Sequence, residues 1–515
     1  MESSNESLKS QAVGGSSWEA ISSITQRIGG LIFTIILARF LLPEGFGLYN
    51  LALSITLIFF VFAQGGFDKS LARYISESLK LKDDKKKVSY FHYILKLKAV
   101  ILILISVLLT ILAYPISIYL FKKPALFAPI LLATLYNFFY SIERFFTSFF
   151  IAMGKVKYRA FKEIIYQISR IILIFIAFFL IYLNPSVINT FWILILSSFI
   201  TLLFVLYKIY NLSPDIFKRG IKSSDKDKKR ILKFTFYITF TSITILLLGS
   251  VDTLMLGLLV KDSIYIGLYN SAFFLVASIS GLLSFSEILL PIFVKSDKDK
   301  LENVFNSVLR YLLILSVPAT FGLFTLGNYF IVLIYGYEYL GATLALNVLS
   351  LLILLSGPPG LFIELFSVKE KPKDYFVLTI LIIILNILLN YLFIKFFLIY
   401  SPKNVIMGVA LATLLSWVVY SIGMGILVKR RLNIKTKLSL VVKPLIASFV
   451  MVGIIYLLKS QFKDITILNG AILIICGIIV YFATLFAIKG INKEDYFIIE
   501  ILKSKIFLPK NYKES

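Results

Sequence analysis

Apolar residues in this chain neither alternate nor form a narrow stripe; they continue for 20 positions or more between short polar breaks. A helix that crosses a bilayer needs about 20 mostly apolar residues. Fourteen stretches meet that length: 17–41, 46–66, 93–121, 125–152, 161–183, 187–208 and 232–258, then 265–293, 307–335, 342–367, 375–398, 404–428, 439–458 and 466–488. The pattern predicts an all-α, polytopic membrane protein with 14 transmembrane helices. Residues 1–15 are polar with Lys9 as their one base, and no small-residue cleavage pattern follows the first stretch, so no cleavable signal peptide is expected.

Composition agrees with the pattern. The 515 residues are 59% hydrophobic and 16% charged, with a mean hydropathy of +0.89. A soluble chain carries roughly 25% charged residues, so a soluble enzyme is excluded, as is intrinsic disorder. A single cysteine, Cys476, excludes a disulfide framework or thiolate metal site, and a single histidine, His92, excludes a histidine cluster. Neither residue is assigned a role, and no cofactor is expected.

The 53 Lys and Arg against 28 Asp and Glu give a net charge of +25. In a soluble protein that would point to nucleic acid. Here the bases alternate with the spans: 40 lie at the N-terminus, in connections after even-numbered spans and in the tail, against 8 after odd-numbered spans. Basic residues accumulate in cytoplasmic loops, so both termini are expected in the cytoplasm of a cell-membrane protein, without nucleic acid as a partner. Two inner segments have amphipathic spacing, Phe67–Leu79 and Ile491–Phe507, and are read as helices lying on the inner membrane surface or as solvated helices.

The sequence Gly47-Leu48-Tyr49-Asn50 opens the second span and Gly267-Leu268-Tyr269-Asn270 the eighth. Gly154-Lys155-Val156-Lys157 before span five is echoed by Lys369-Glu370-Lys371-Pro372-Lys373 before span eleven. The echoes suggest a duplicated six-span unit. The expected organisation is an N-terminal lobe at 1–210, a charged linker at 211–231, a C-terminal lobe at 232–430, two extra helices at 431–490 and a cytoplasmic tail at 491–515. Two copies of six spans share one orientation, an arrangement transporters use around a central path.

Longer motifs carry a family resemblance. Ala38-Arg39-Phe40-Leu41-Leu42-Pro43-Glu44-Gly45-Phe46-Gly47-Leu48-Tyr49 resembles the first-turn signature of prokaryotic polysaccharide flippases. Val251-Asp252-Thr253-Leu254-Met255-Leu256-Gly257, Tyr335-Gly336-Tyr337-Glu338-Tyr339 and Gly408-Val409-Ala410-Leu411-Ala412-Thr413 resemble further signatures along the chain. The chain is thus similar to the Wzx-like oligosaccharide flippases of the multidrug/oligosaccharidyl-lipid/polysaccharide exporter superfamily. The resemblance implies two six-helix lobes around a basic cavity, alternating access, and a lipid-tail groove beside spans 13 and 14.

Charges inside the bilayer cost at least about 2.5 kcal/mol each and are functional candidates. Arg27, Arg144 and Arg170 lie about 15, 12 and 14 Å from the inner ends of the expected spans one, four and five, at 1.5 Å per residue. Polar neighbours share their faces: Ser23, Gly30 and Thr34 with Arg27; Asn137, Ser141 and Ser148 with Arg144; Glu163 and Tyr166 with Arg170. Arginine donates bidentate hydrogen bonds to phosphate and stays charged, so the three form a candidate substrate site; the competing reading pairs Arg144 or Arg170 with Glu143. Lys96 and Lys98 either snorkel to the inner surface or guard the cavity mouth. Asp252 either binds a coupling proton or sodium ion or pairs with Lys261. Glu287 and Glu364 are ion-coupling candidates whose alternative is pairing with loop lysines. Gly357-Pro358-Pro359-Gly360 is expected to interrupt or bend span ten.

No Gly-rich Lys-Ser/Thr loop is present, so no ATPase site is expected and the chain is not read as an enzyme. The expected activity is inner-to-outer transfer of a polyprenyl-(pyro)phosphate-linked oligosaccharide, driven by an ion gradient. The alternatives are a drug/cation antiporter, which would favour deep acidic residues over arginines, and a peptidoglycan-precursor flippase. A membrane glycosyltransferase would need larger outer loops. Expected partners are the polyprenyl-linked glycan, anionic membrane lipids and glycan-assembly proteins, around a monomer.

Overall fold

The computed structural model describes residues 2–218, 223–283, 298–368, 373–432, 434, 438–462 and 464–490. Its regular structure among these residues is all helical, without a strand. The helices are α1 (Glu2–Phe60), α2 (Gly65–Lys80), α3 (Asp84–Pro115), α4 (Phe127–Ala152), α5 (Val156–Phe175), α6 (Val187–Leu212), α7 (Asp225–Leu259) and α8 (Ile264–Leu283). They continue with α9 (Lys298–Thr325), α10 (Gly327–Tyr335), α11 (Thr343–Val368), α12 (Lys373–Tyr400), α13 (Val405–Leu432), α14 (Val442–Lys459) and α15 (Ile467–Ala487). Twelve helical runs among the described residues are long and apolar enough to span a membrane, thirteen with the bent pair in α7. The first run, Ser17–Lys80, holds both the first and second expected spans, so fourteen is reached only by counting it twice.

The break within α1 has a local cause. Leu42 precedes Pro43 and takes φ 57°, ψ 171°, outside the helical region. A residue before proline is pushed away from the helical conformation by the ring. A second bend falls in α7, where Asp225–Thr244 and Gly249–Leu259 meet at 58°. The expected interruption at Pro358 and Pro359 is not an end: α11 continues through both prolines.

The chain packs as two compact units, Met1–Gly267 and Leu268–Ser515. In the first, α1 and α5 run parallel along a ladder of contacts. Glu19 pairs with Arg159, Trp18 packs on Phe161 at 5.6 Å, and Phe40 packs on Phe178 at 5.0 Å. At Gly29 the helices approach so closely that a Cβ would lie 2.7 Å from Gln167 Cγ. Lys123, buried between α3 and α4, donates to the carbonyls of Val260 (2.7 Å) and Lys261 (2.8 Å) just past the C-terminus of α7, where helix carbonyls lack partners. In the same unit the two echoed glycines approach each other: a Cβ on Gly47 would lie 2.9 Å from Gly267 N.

The segment 67–79 differs from both of its expected placements, on the membrane surface or as a solvated helix. As α2 it buries Phe67, Leu71, Tyr74 and Ile75 to 3% exposure or less. It packs antiparallel to α7, with Ser70 Oγ 2.7 Å from Thr235 Oγ1, Tyr74 donating to Arg230 O at 3.1 Å, and Glu77 paired with Arg230 at 2.5 Å. Its apolar face is therefore covered by protein. The second amphipathic segment, 491–507, and the second half of the 154/369 echo lie outside the described residues.

In the second unit α9, α10, α14 and α15 share a core of Ile314, Leu326, Tyr329, Ala447, Met451, Ile455, Leu473, Tyr481 and Leu485. Tyr481 satisfies its buried hydroxyl by donating to Ile314 O at 2.7 Å. Helices α11, α12 and α13 complete the unit, with Tyr420 and Thr379 hydroxyls 3.5 Å apart between α13 and α12.

Candidate functional site

Helices α2 to α5 concentrate ionised side chains in the interior of the first unit. Asp68 on α2 accepts from Lys98 Nζ on α3 at 2.7 Å, and the Lys98 side chain is only 2% exposed. Lys98 lies 5.1 Å from the Phe145 ring centre. Its expected snorkelling to the surface does not occur, because a carboxylate meets it inside. Lys96, two residues earlier, is exposed. The other Asp68 oxygen lies 3.7 Å from Arg144 Nε, and 44% of the Arg144 side chain remains exposed. Arg144 therefore pairs with Asp68, in the segment Phe67–Leu79, rather than with Glu143.

Glu143 faces α5 and is fully buried. Lys162 on α5 donates to Glu143 Oε1 at 2.6 Å and lies 3.3 Å from Glu163 Oε2. Gln167 extends the chain, donating to Glu163 Oε1 at 2.6 Å and accepting from Arg170 Nη2. The Arg170 guanidinium lies over the Phe33 ring at 4.1 Å and the Tyr166 ring at 5.1 Å. Tyr140 lies 6.0 Å from the Tyr166 ring and 5.9 Å from the Arg144 guanidinium, and so spans the space between the two arginines.

Gly29 permits this arrangement by the close approach to Gln167 described above. A Cβ on Gly30 would come within 3.9 Å of Arg170 Nη2, which places α1 against the guanidinium. Arg27, half-buried, lies one turn earlier on α1. The observed helix bounds change the expected depths. Counted from the ends of α5 and α4, Arg170 lies about 21 Å in and Arg144 about 12 Å, at 1.5 Å per residue. The two are staggered rather than level.

Several buried polar atoms around the network lack a hydrogen-bond partner among the described residues: Asp68 Oδ2, Asn137 Oδ1, Ser141 Oγ, Glu143 Oε2 and Arg170 Nε. Orphaned buried groups of this kind cost about 1–3 kcal/mol each, and here they gather on the helices that carry the charges. Lys98, Arg144, Lys162 and Arg170 face Asp68, Glu143 and Glu163, so the network carries one net positive charge. The contrast drawn from the sequence, arginines in place of deep acids, thus gives way to a mixed network.

Asp68 and Lys162 were absent from the sequence-derived candidates. A signal for Lys162 existed. The turn at Gly154, φ +67°, makes α4 and α5 an antiparallel hairpin, and Glu143 and Lys162 lie at comparable distances on either side. Of the acidic candidates, Asp252 is buried at 7% exposure in α7, Glu364 lies on α11, and Glu287 is outside the described residues. No group of three or more His, Cys, Asp or Glu suited to a metal ion occurs among the described residues.

Comparison with known proteins adds the family. No curated protein matches the sequence. Among solved structures, the lipid II flippase MurJ in an inward closed conformation aligns with a TM-score of 0.72 at 18% identity, covering 94% of this chain and 99% of that one. An inward-facing multidrug resistance MATE family transporter of the MOP superfamily aligns with a TM-score of 0.63 at 15% identity, covering 81% and 98%. A MATE protein in complex with MaL6 aligns at 0.55 and 14%, covering 82% and 96%. The fold is that of multi-pass exporters, and residues 12–297 match a family described as polysaccharide biosynthesis protein, a region that holds the motifs Ala38–Tyr49 and Val251–Gly257 while Tyr335–Tyr339 and Gly408–Thr413 lie beyond it. The chain belongs to the polysaccharide biosynthesis protein family, with the fold of the MOP superfamily transporters.

Proposed function

We propose that this protein moves a polyprenyl-(pyro)phosphate-linked oligosaccharide from the inner to the outer leaflet of the cell membrane by alternating access, driven by an ion gradient. Family membership supports a role in polysaccharide biosynthesis, and the fold supports transport without a nucleotide site. The observation that carries the substrate class is Arg144. It is a guanidinium held by a carboxylate at 3.7 Å yet 44% exposed, above a network whose other cations are buried.

The chemistry follows from that geometry. A phosphate approaching Arg144 competes with Asp68, and the planar fork favours the two-oxygen anion. Lys98 keeps Asp68 compensated when Arg144 turns away, so the exchange strands no charge in a low-dielectric interior. Arg170, Gln167 and Glu163 brace the site from α5, and Arg27 adds a second cation from α1. Asp252 and Glu364 remain the candidates for coupling to an ion.

Three buried carboxylates, Asp68, Glu143 and Glu163, favour a second reading, a cation antiporter. Each already has a lysine within 3.3 Å, which leaves less negative potential for a cationic drug, so the lipid-linked anion stands first. The test is flipping of a labelled lipid-linked oligosaccharide in vesicles by the wild type and by Arg27→Ala, Arg144→Ala and Arg170→Ala, with lipid II and a cationic dye as parallel cargoes. Loss of oligosaccharide flipping in the Arg144 variant supports the reading. Undiminished flipping in all three variants, or transport of the dye or lipid II alone, overturns it. Full-rate flipping after collapse of the proton and sodium gradients removes the coupling.

A further inference from the structure

The first unit carries a recess that the charged network does not use. It is a cavity of about 110 Å³ between α3 and α4, and its accessible lining is apolar. Its cause is a small residue. On α3, Ala99 stands between Leu95 and Ile103, each one turn away, and leaves a gap that Phe138, Ile142 and Phe145 of α4 border without closing.

Lys98 lends the recess only its methylene stem. Its ammonium is held by Asp68 Oδ1 at 2.7 Å, and its side chain is 2% exposed. A buried water needs two to four polar partners, and apolar cavities of about 150 Å³ stay dry yet accept a ligand such as benzene. The recess therefore suits hydrocarbon and not water, with room for a short length of chain.

Depth and surroundings name the source of that chain. Asp84–Leu120 and Pro124–Ala152 are candidate membrane spans. Ala99 and Ile103 lie in the middle third of the first, and Phe138 and Ile142 in the middle third of the second. This is the level of acyl chains, away from headgroups. Ile103 on the rim is more than half exposed, and so are Leu104, Val107 and Ile111 along the same helix. An exposed apolar row on a helix of spanning length is a surface for lipid, and the mouth of the recess opens on it.

We propose that the recess holds a length of acyl chain from a bilayer phospholipid, seated between α3 and α4 against Ala99, with Phe138 and Ile142 as its walls. Recognition is by shape and apolar contact, so the headgroup is not read. The site does not depend on what the protein transports, and its test reads binding rather than flipping.

The experiment is photolabelling of the full chain in phosphatidylcholine vesicles. They contain a phosphatidylcholine with a mid-chain diazirine, and labelled residues are read by mass spectrometry. In the wild type, label is expected at Phe138 and Ile142 inside the recess as well as at Leu104 and Ile111 on the open face. Ala99→Phe fills the gap, and label at Phe138 and Ile142 is expected to fall about tenfold, the worth of roughly two buried methylene groups. Label at Leu104 and Ile111 is expected to stay, which reports a folded, inserted chain. Ala99→Leu is a smaller filling, expected to lower the inner label in part, and decides the matter where Phe does not fit. The same diazirine chain on phosphatidylglycerol is expected to label alike. Absence of label at Phe138 and Ile142 in the wild type, undiminished label after both fillings, or dependence on the headgroup would overturn the proposal. So would selective loss of the inner label on adding a polyprenyl phosphate, which would make the occupant a prenyl tail.

Discussion

Lys162 Nζ on α5 sits 2.6 Å from Glu143 Oε1 on α4, and the Glu143 side chain has no exposure at all. An ion pair buried this deeply contributes little net stability but is costly to break from one side, because the remaining charge loses its partner without regaining water. The pair therefore fixes α4 against α5 more by penalty than by attraction.

Lys162→Met leaves Glu143 buried without its cation and is expected to destabilise by about 3–5 kcal/mol, whereas Glu143→Gln is expected to cost less because Lys162 keeps Glu163 at 3.3 Å. The double variant is expected to cost less than Lys162→Met alone. Thermal unfolding in detergent, arranged as a double-mutant cycle, measures this; additive losses would show that the two side chains are not coupled.

Arg144 and Lys98 share Asp68 but differ in burial, and their variants should separate. Arg144→Ala removes a half-exposed partner and is expected to change stability by less than about 1 kcal/mol. Under the proposed function it lowers flipping about 10- to 100-fold, the worth of a charged hydrogen bond. Asp68→Asn strands Lys98 and is expected to lower the melting temperature clearly. Equal thermal losses for the two variants would contradict the burial difference.

Gly29 has no room for a side chain, since its Cβ would meet Gln167 Cγ at 2.7 Å. Gly29→Ala is expected to cost about 1–3 kcal/mol as an overpacked contact and to displace Gln167 from Arg170. A Gly29→Ala, Gln167→Ala double variant should recover part of the loss, read again as thermal stability.

Burial of α2 is testable with the chain's one cysteine removed. In a Cys476→Ala background, Leu71→Cys is expected to resist a maleimide and Leu81→Cys to react, because Leu71 has no exposure and Leu81 is 59% exposed. Rapid labelling of both would return α2 to the membrane surface.

The sequence was most informative where one property repeats over a long stretch. Apolar runs of bilayer length predict the helices, since lipid leaves a long apolar segment no alternative to internal hydrogen bonding. The proline after Leu42 marks the break in α1 for an equally local reason. The charged network was legible only in part. Arg144, Arg170 and Lys98 stand out as ions within apolar runs, but Asp68 lies in a connection and Lys162 at the very start of an expected span, and both read as surface charges. The amphipathic spacing of residues 67–79 predicts a buried face without naming what buries it.

By itself, then, the sequence determined a many-span helical membrane protein, its family and the presence of cations among apolar residues. Only the tertiary structure decided which carboxylate meets which cation. That choice depends on α2 turning inward against α7 and on the close approach of α1 and α5 at Gly29. These are contacts between residues up to about 165 positions apart, and no local pattern encodes them. The physical reason is that a charge in apolar surroundings must be compensated, and the packing of the helices settles which partner comes within reach.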